Sequence, residues 1–225
     1  MKIALSLFLA AAIGYLLGSI NSSIPVVKFF LGKDIRTLGS RNAGLTNTFR
    51  CAGKKCAVIT LAGDLLKGVI AVALARAICG AIGAGLVPDN DTHYIGYITG
   101  FFAILGHIFP VYYGFKGGKG VLVGVSIFII VDPKVFCALL SIFIVILAIT
   151  KFVSLGSIIA TSFCPIATFL MSLIVDGYGL GRSALYMLLS LPMAAIIIFM
   201  HRSNIQRLLS GTENKFSFKK SGMAK

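Results

Sequence analysis
The residue types able to do chemistry gather in short polar segments set between long apolar runs. Residues 39–50 read GSRNAGLTNTFR, bringing Gly39, Ser40, Arg41, Asn42, Gly44, Thr46, Asn47 and Arg50 into one stretch. Glycine lets a backbone approach a ligand and adopt positive φ, Ser, Thr and Asn offer neutral donors, and arginine offers a planar fork that matches an oxyanion. That is phosphate-binding chemistry. A loop rich in Asn and Gly also serves as a plain turn, and this segment alone leaves both readings open.

Residues 106–120 read GHIFPVYYGFKGGKG. Gly117 and Gly118, between Lys116 and Lys119, are expected to leave their backbone N–H groups free to converge on an anion, with a helix starting just beyond. The nucleotide-binding pattern GxxxxGK[ST] is absent, so the segment is a phosphate cradle in its physics only. Two such loops on one face favour anion binding over plain turns. His107 carries two readings: an interhelical hydrogen-bonding residue, the commoner role, or a general base or phosphate contact, since its unperturbed pKa is about 6.5. Asp64 and Lys67, in GDLLKG, are either a site in the membrane or an i,i+3 pair at its edge, and pairing is the expectation for Asp64. KFVSLGS at 151–157 and HRSN at 201–204 complete the polar set. Ser154 can bond a ligand or its own helix carbonyl, and His201 and Arg202 can meet a ligand or anchor the interface. The five cysteines, Cys51, Cys56, Cys79, Cys137 and Cys164, are scattered without metal-ligand spacing and read as small hydrophobes.

The elements that must position these groups are membrane helices. With 57% hydrophobic and 12% charged residues among 225, and a mean hydropathy of +0.95, the chain carries too much apolar surface for an ordinary soluble domain. A net charge of +14 suggests nucleic acid, but the charge lies between apolar runs and not on a polar face, which argues against it. A bilayer core about 30 Å thick needs roughly 20 apolar residues per helix. That ruler marks seven spans, near 3–20, 57–78, 94–113, 121–131, 135–150, 153–175 and 184–200. The fourth is short, with residues 117–120 available to extend it, and Asp132-Pro133 makes a tight turn into the fifth. Alternate crossing divides the 21 Lys and Arg residues into 17 on one side and Lys2, Arg76, Lys134 and Arg182 on the other. The positive-inside rule then puts the N-terminus outside and the C-terminus in the cytoplasm. The fold class is an all-α polytopic bundle forming a single domain over 1–225, with a flexible basic tail after about residue 213.

At these segments the sequence resembles the bacterial acyl-phosphate:glycerol-3-phosphate acyltransferases, integral membrane enzymes of seven helices. The resemblance runs through GSI at 18–20, DIRTLGSRNAGLTNTFR at 34–50, DLLKG at 64–68, GHIFPVYYGFKGGKGV at 106–121, KFVSLGS, and HRSNIQRLLSGTENK at 201–215. It implies transfer of a fatty acyl group from acyl phosphate to the 1-hydroxyl of glycerol 3-phosphate, yielding lysophosphatidic acid and phosphate in the bacterial inner membrane. Ser40, Arg50, Lys116, Ser154, His201 and Asn204 are implied to contact substrate. His107 is counted with the catalytic set, and Ser19, Gly39, Asn42, Asn47, Lys67, Gly117, Gly118 and Lys119 are implied to help bind substrate. The implied partners are the two substrates, membrane lipid and the enzyme that makes acyl phosphate. No cofactor or metal is implied, because an acyl phosphate is already activated. The chain departs from the usual pattern at Leu45, where the family commonly has Ala, and at Leu122 and Val123, where it has a small or polar pair. That bulk is expected to narrow the site or alter acyl-chain preference. The competing class is a transporter or channel for an anionic metabolite, which basic Gly-rich loops would also serve, but paired repeat halves are absent. An acyl-CoA enzyme is disfavoured because its HxxxxD signature fails after His107, where Tyr112 stands in place of Asp. A membrane scaffold would need no such loops.

Overall fold
The structure, a computed structural model, describes residues 2–83 and 91–216, all of them helices and connecting loops. Asp89 and the tail lysines Lys219, Lys220 and Lys225 of the charge count lie outside the described residues. Two compact units divide at Val131 and Asp132.

In the first unit, α1 (Lys2–Gly18) is followed after a short turn by α2 (Ser23–Leu31), and a 3-10 turn at Ile35–Thr37 leads into α3 (Leu45–Ile82). Next come α4 (His93–Ile108), a second 3-10 turn at Val111–Tyr113, and α5 (Val121–Val131). Lipid is as apolar as leucine, so helices in a bilayer associate through close van der Waals packing at small residues. The first unit is built that way. Gly14 and Gly18 of α1 lie against the backbone of Thr99 and Ala103 on α4, and Gly106 returns the contact at Tyr15. Gly96 and Gly100 admit Val131 and Ile127 of α5, while Gly68 of α3 admits Ser126. Around these seams Ile95, Tyr97, Ile104, Val123 and Ile127 are fully buried.

The polar loops collect at one end of this unit. At the other end Arg76 donates to the Thr92 hydroxyl between α3 and α4 (3.4 Å), and Gly83 closes α3 at φ 75° near the Lys2 ammonium. One break was not expected. Within α3, Gly53 sits at φ 80°, ψ −178°, separating a short first piece that carries Asn47 and Arg50 from the long apolar rod beyond.

The second unit runs through α6 (Pro133–Thr150), α7 (Val153–Leu170) with a π-helical continuation at Met171–Val175, α8 (Leu180–Met200) and α9 (Arg202–Leu209). Asp132 caps α6 by accepting the Val135 N–H (3.2 Å), and Pro133 opens the helix, as the sequence predicts. Lys134 pairs with Asp176, joining the start of α6 to the end of the π-helical turn. Several hydroxyls in these helices bond their own carbonyls one turn back, as Ser157 does to Val153 (2.9 Å) and Ser162 to Ile158 (2.9 Å).

Among the described residues, six helical stretches are long and apolar enough to cross a membrane: Lys2–Leu31, Leu45–Ile82, His93–Tyr113, Pro133–Thr150, Val153–Val175 and Leu180–Met200. The expected fourth span, α5, has 11 residues and rises about 16 Å, roughly half a bilayer core. Residues 117–120 do not lengthen it, because Gly117 and Gly118 fold back onto the end of α4.

Candidate functional site
The segment at 39–50 is a loop only as far as Gly44; Leu45 begins α3, so Thr46, Asn47 and Arg50 stand on a helix. Asn47 organises everything before it. Its Nδ2 donates to the carbonyls of Leu38 (3.0 Å), Asn42 (3.0 Å) and Ile35 (3.4 Å), and its Oδ1 accepts the Ser40 N–H (3.0 Å). One buried amide thereby fixes a turn that needs positive φ at Gly39 (51°) and at Arg41 (59°). Ser40 is left exposed at the tip, with Asn42 and Arg50 half-buried beside it. The loop seats on a small core of Ile24, Val27, Ile35 and Ala43.

The second segment corrects the expectation for its glycines. The Gly117 N–H donates to Ile108 O (3.0 Å) and the Gly118 N–H to His107 O (3.1 Å), so neither is available to an anion. The reason is that the last carbonyls of α4 lack intrahelical donors, and a chain without Cβ can approach closely enough to supply them. A Cβ on Gly117 would strike the His107 carbonyl, and one on Gly118 would strike the His107 ring and the Ala43 carbonyl. Turning this segment back costs positive φ at Gly114 (66°), Phe115 (58°) and Gly120 (84°). Lys116 is exposed at its crest and Lys119 is half-buried.

Arg36 ties the two loops. Its guanidinium makes a bidentate pair with Asp34 (2.7 and 3.1 Å) and donates from Nη1 to the carbonyls of Tyr113 (2.6 Å) and Lys116 (3.1 Å). The hydrogen bond from Arg36, with its charge, holds the Asp34 carboxyl below the usual carboxylate range. A second tie is Asn21 Nδ2 to Ala43 O (3.3 Å).

Beneath the loops lies a buried ionic knot. The Lys67 ammonium contacts Asp64 Oδ1, His107 Nδ1 and Ile20 O, each at 2.8 Å, which occupies its three donors. Asp64 Oδ1 also accepts the Ser22 N–H (3.3 Å) at the break between α1 and α2. Asp64 and Lys67 therefore pair as expected, with His107 drawn in. Since an ammonium can only donate, His107 Nδ1 is the acceptor, and its proton sits on Nε2, which faces Gly118. Ser19, fully buried, donates to Tyr15 O (2.7 Å) and accepts the Val111 N–H (3.4 Å).

The second unit holds a separate cluster. Ser154 Oγ and Asn204 Nδ2 both donate to Glu213 Oε1 at 2.8 Å, and Arg207 Nε donates to Oε2 at 2.7 Å. Burial alone raises the Glu213 pKa, but the bonds from Asn204, Ser154 and Arg207 outweigh it and hold the carboxyl below its usual value. Ser154 thus bonds Glu213 and not a carbonyl of its own helix, and Glu213 is a residue that sequence reasoning passed over. His201, buried one turn before Asn204, uses Nδ1 on Ile197 O (2.8 Å), which fixes its proton there. The chain after Glu213 is anchored as far as described: the Phe216 N–H donates to Lys151 O (2.7 Å) and Lys215 lies over the Phe152 ring.

Residues 8–211 match the glycerol-3-phosphate acyltransferase family. Glycerol-3-phosphate acyltransferases of Clostridioides difficile and Geotalea daltonii are 39% and 41% identical, covering 96% and 90% of this chain and 98% and 93% of their own. The fold is similar to the crystal structure of PlsY (YgiH), an integral membrane glycerol 3-phosphate acyltransferase, in its glycerol 3-phosphate form, with TM-score 0.76 and 36% identity over 94% of this chain and 96% of that one. A second PlsY structure, in a lysophosphatidic acid form, gives TM-score 0.74 and 35% identity over 96% of this chain and 97% of that one.

Proposed function
From the premise that the chain belongs to the glycerol-3-phosphate acyltransferase family, we propose that it transfers a fatty acyl group from acyl phosphate to the 1-hydroxyl of glycerol 3-phosphate, yielding lysophosphatidic acid and phosphate. The observation that carries this reading is the pair of tied loops in the first unit, which with the first turns of α3 place Ser40, Arg50, Lys116 and Lys119 at one end of an apolar bundle. The PlsY structures are a glycerol 3-phosphate form and a lysophosphatidic acid form, which supports these molecules as substrate and product here.

Two phosphate-bearing substrates bring about three to four negative charges to the membrane edge. Arg50, Lys116 and Lys119 neutralise them, with Ser40 and Asn42 as neutral contacts and the α3 N-terminus close behind. Asn47, Gly39, Gly117, Gly118 and Ser19 shape the loops, and Lys67 and His107 support them from below. Ser154, His201 and Asn204 keep the substrate contacts that the family resemblance implies for them.

The 1-hydroxyl oxygen attacks the acyl carbon, the bond from that carbon to the phosphate oxygen breaks, and phosphate departs with the electron pair. The hydroxyl proton passes to a substrate phosphate oxygen, delivered to the reacting carbon by binding itself. His107 is a poor base, since its Nδ1 lone pair already accepts from Lys67. The donor is a mixed anhydride, so no acyl-enzyme forms, and positioning in a near-attack pose supplies much of the rate.

On this reading the protein lies in the bacterial inner membrane as one functional domain. It makes seven crossings with α5 as a short fourth, its N-terminus is outside, and the polar loops and C-terminus face the cytoplasm. It receives acyl phosphate from the enzyme that makes it. The test offers palmitoyl phosphate, palmitoyl-CoA and acyl carrier protein thioester in parallel to the purified protein with labelled glycerol 3-phosphate. Product from acyl phosphate alone is expected; product from a thioester alone overturns the donor. Loss of turnover with intact substrate binding in the His107→Gln/His201→Gln double variant overturns the phosphate as proton acceptor.

A further inference from the structure
Arg36 belongs to none of the groups assigned to substrate, yet it makes more directed contacts to the Lys116 loop than any other side chain on the 34–44 segment. Its two carbonyl acceptors, on Tyr113 and Lys116, bracket Gly114 and Phe115, the two consecutive residues held at positive φ. Gly114 adopts that conformation freely, but Phe115 does not, and with 57% of it exposed its packing is limited. Strain of this kind persists only where surrounding structure over-determines it. Here the Phe115 N–H donates to Pro110 O (3.0 Å), the Gly117 and Gly118 bonds to α4 hold the far side, and the guanidinium is the side chain that binds the carbonyls on either side of the turn. Asp34 completes the arrangement: it caps the Ile35–Thr37 turn by accepting the Arg36 N–H (2.9 Å) and pins the guanidinium plane by a bidentate pair.

We propose that Arg36, oriented by Asp34, is a positioning residue that clamps the left-handed Gly114-Phe115 turn and thereby fixes where Lys116 meets the substrate phosphate. The clamp is a property of the fold, and only its kinetic consequence rests on the acyl-transfer reading. Lysine cannot replace it, because a single ammonium lacks the planar fork that spans two carbonyls and a carboxylate together.

The test compares Arg36→Met, Arg36→Lys, Phe115→Gly and the Arg36→Met/Phe115→Gly double variant in two measurements. One is amide hydrogen exchange over residues 111–120; the other is KM and kcat with glycerol 3-phosphate and palmitoyl phosphate. Arg36→Met should speed exchange at 114–117 and raise KM for a phosphate substrate by about tenfold with a smaller change in kcat, as expected when ground-state binding is lost. Arg36→Lys should recover only part of this. Phe115→Gly alone should behave like the parent, and in the double variant it should restore most of the KM, since glycine keeps the turn without a clamp. Unchanged exchange in Arg36→Met, or a KM within twofold of an active parent, overturns the proposal. So does failure of both Arg36→Met and the double variant to fold, because Arg36 would then support the whole bundle. If the parent shows no acyl transfer, the functional reading fails, and the exchange measurement still decides the clamp.

Discussion
Replacing Glu213 by Gln tests whether the second unit is held together by one carboxylate. The amide oxygen can still accept from Ser154 and Asn204, but the new NH2 group confronts Arg207 Nε, now 2.7 Å from Oε2. A hydrogen bond to a charged acceptor contributes about 1.5–3 kcal/mol against about 0.5–1.5 for a neutral one, so three weakened contacts suggest a loss of about 2–3 kcal/mol. The lower end applies if solvent screens Arg207, whose side chain is 37% exposed while that of Glu213 is 7%. For a chain of this size that lowers the melting temperature by about 5–10 °C. The assay is reaction of Cys164, 4% exposed in the folded protein, with a thiol-reactive dye during heating of a variant that keeps it as the sole cysteine. The effect must also depend on pH. The folded Glu213 carboxyl lies below its ordinary value of 4.5, so its stabilisation is complete above pH 4.5 and drains away as the pH falls through the folded value. The gap between parent and variant should therefore close in acid. Equal melting at pH 7, or a gap that survives acid, would refute the reasoning.

Three further outcomes are expected. Lys67→Met strands a buried Asp64 charge and should cost about 3–5 kcal/mol, while Asp64→Leu/Lys67→Met should recover at least half of it in the same melting assay. Additive losses would show that the two do not act as a pair. Gly118→Ala drives a methyl into the His107 ring and should raise KM for glycerol 3-phosphate about tenfold or abolish folding; Gly114→Ala, in open space at φ 66°, should cost only about 1–2 kcal/mol and leave KM within threefold. In a cysteine-free background, Lys134→Cys should react with an impermeant thiol reagent from outside intact cells, whereas Lys151→Cys should react only after permeabilisation; the reverse pattern would invert the topology.

Much of the bundle is visible in hydropathy because transfer from water is a sum over residues, so α4, α6, α7 and α8 appear within a few positions of their expected limits. Asp132-Pro133 is legible because capping acts over three residues. What escapes is anything decided by a distant partner. Gly117 and Gly118 carry the composition of an anion cradle, yet their amides answer the open carbonyls at the end of α4. Glu213 reads as part of a polar tail, although it accepts from Ser154, 59 positions earlier. Arg36 and Arg41 look like ordinary inside charges, and only tertiary structure shows one as a clamp and the other at positive φ. The separate helix α2 and the break at Gly53 lie outside the expected spans at 3–20 and 57–78, in connections where the span ruler assigns no helix. The types of the candidate residues were thus readable, whereas the division between those that present a contact and those that hold a loop required coordinates.

The most direct measurement reconstitutes the protein in lipid vesicles with labelled glycerol 3-phosphate and palmitoyl phosphate, and follows the label and released phosphate together. The account predicts lysophosphatidic acid and phosphate in equal amounts, with both lost in Lys116→Ala and Arg50→Ala. Label that crosses the bilayer unchanged, with no ester formed, would contradict it and establish a transporter in its place.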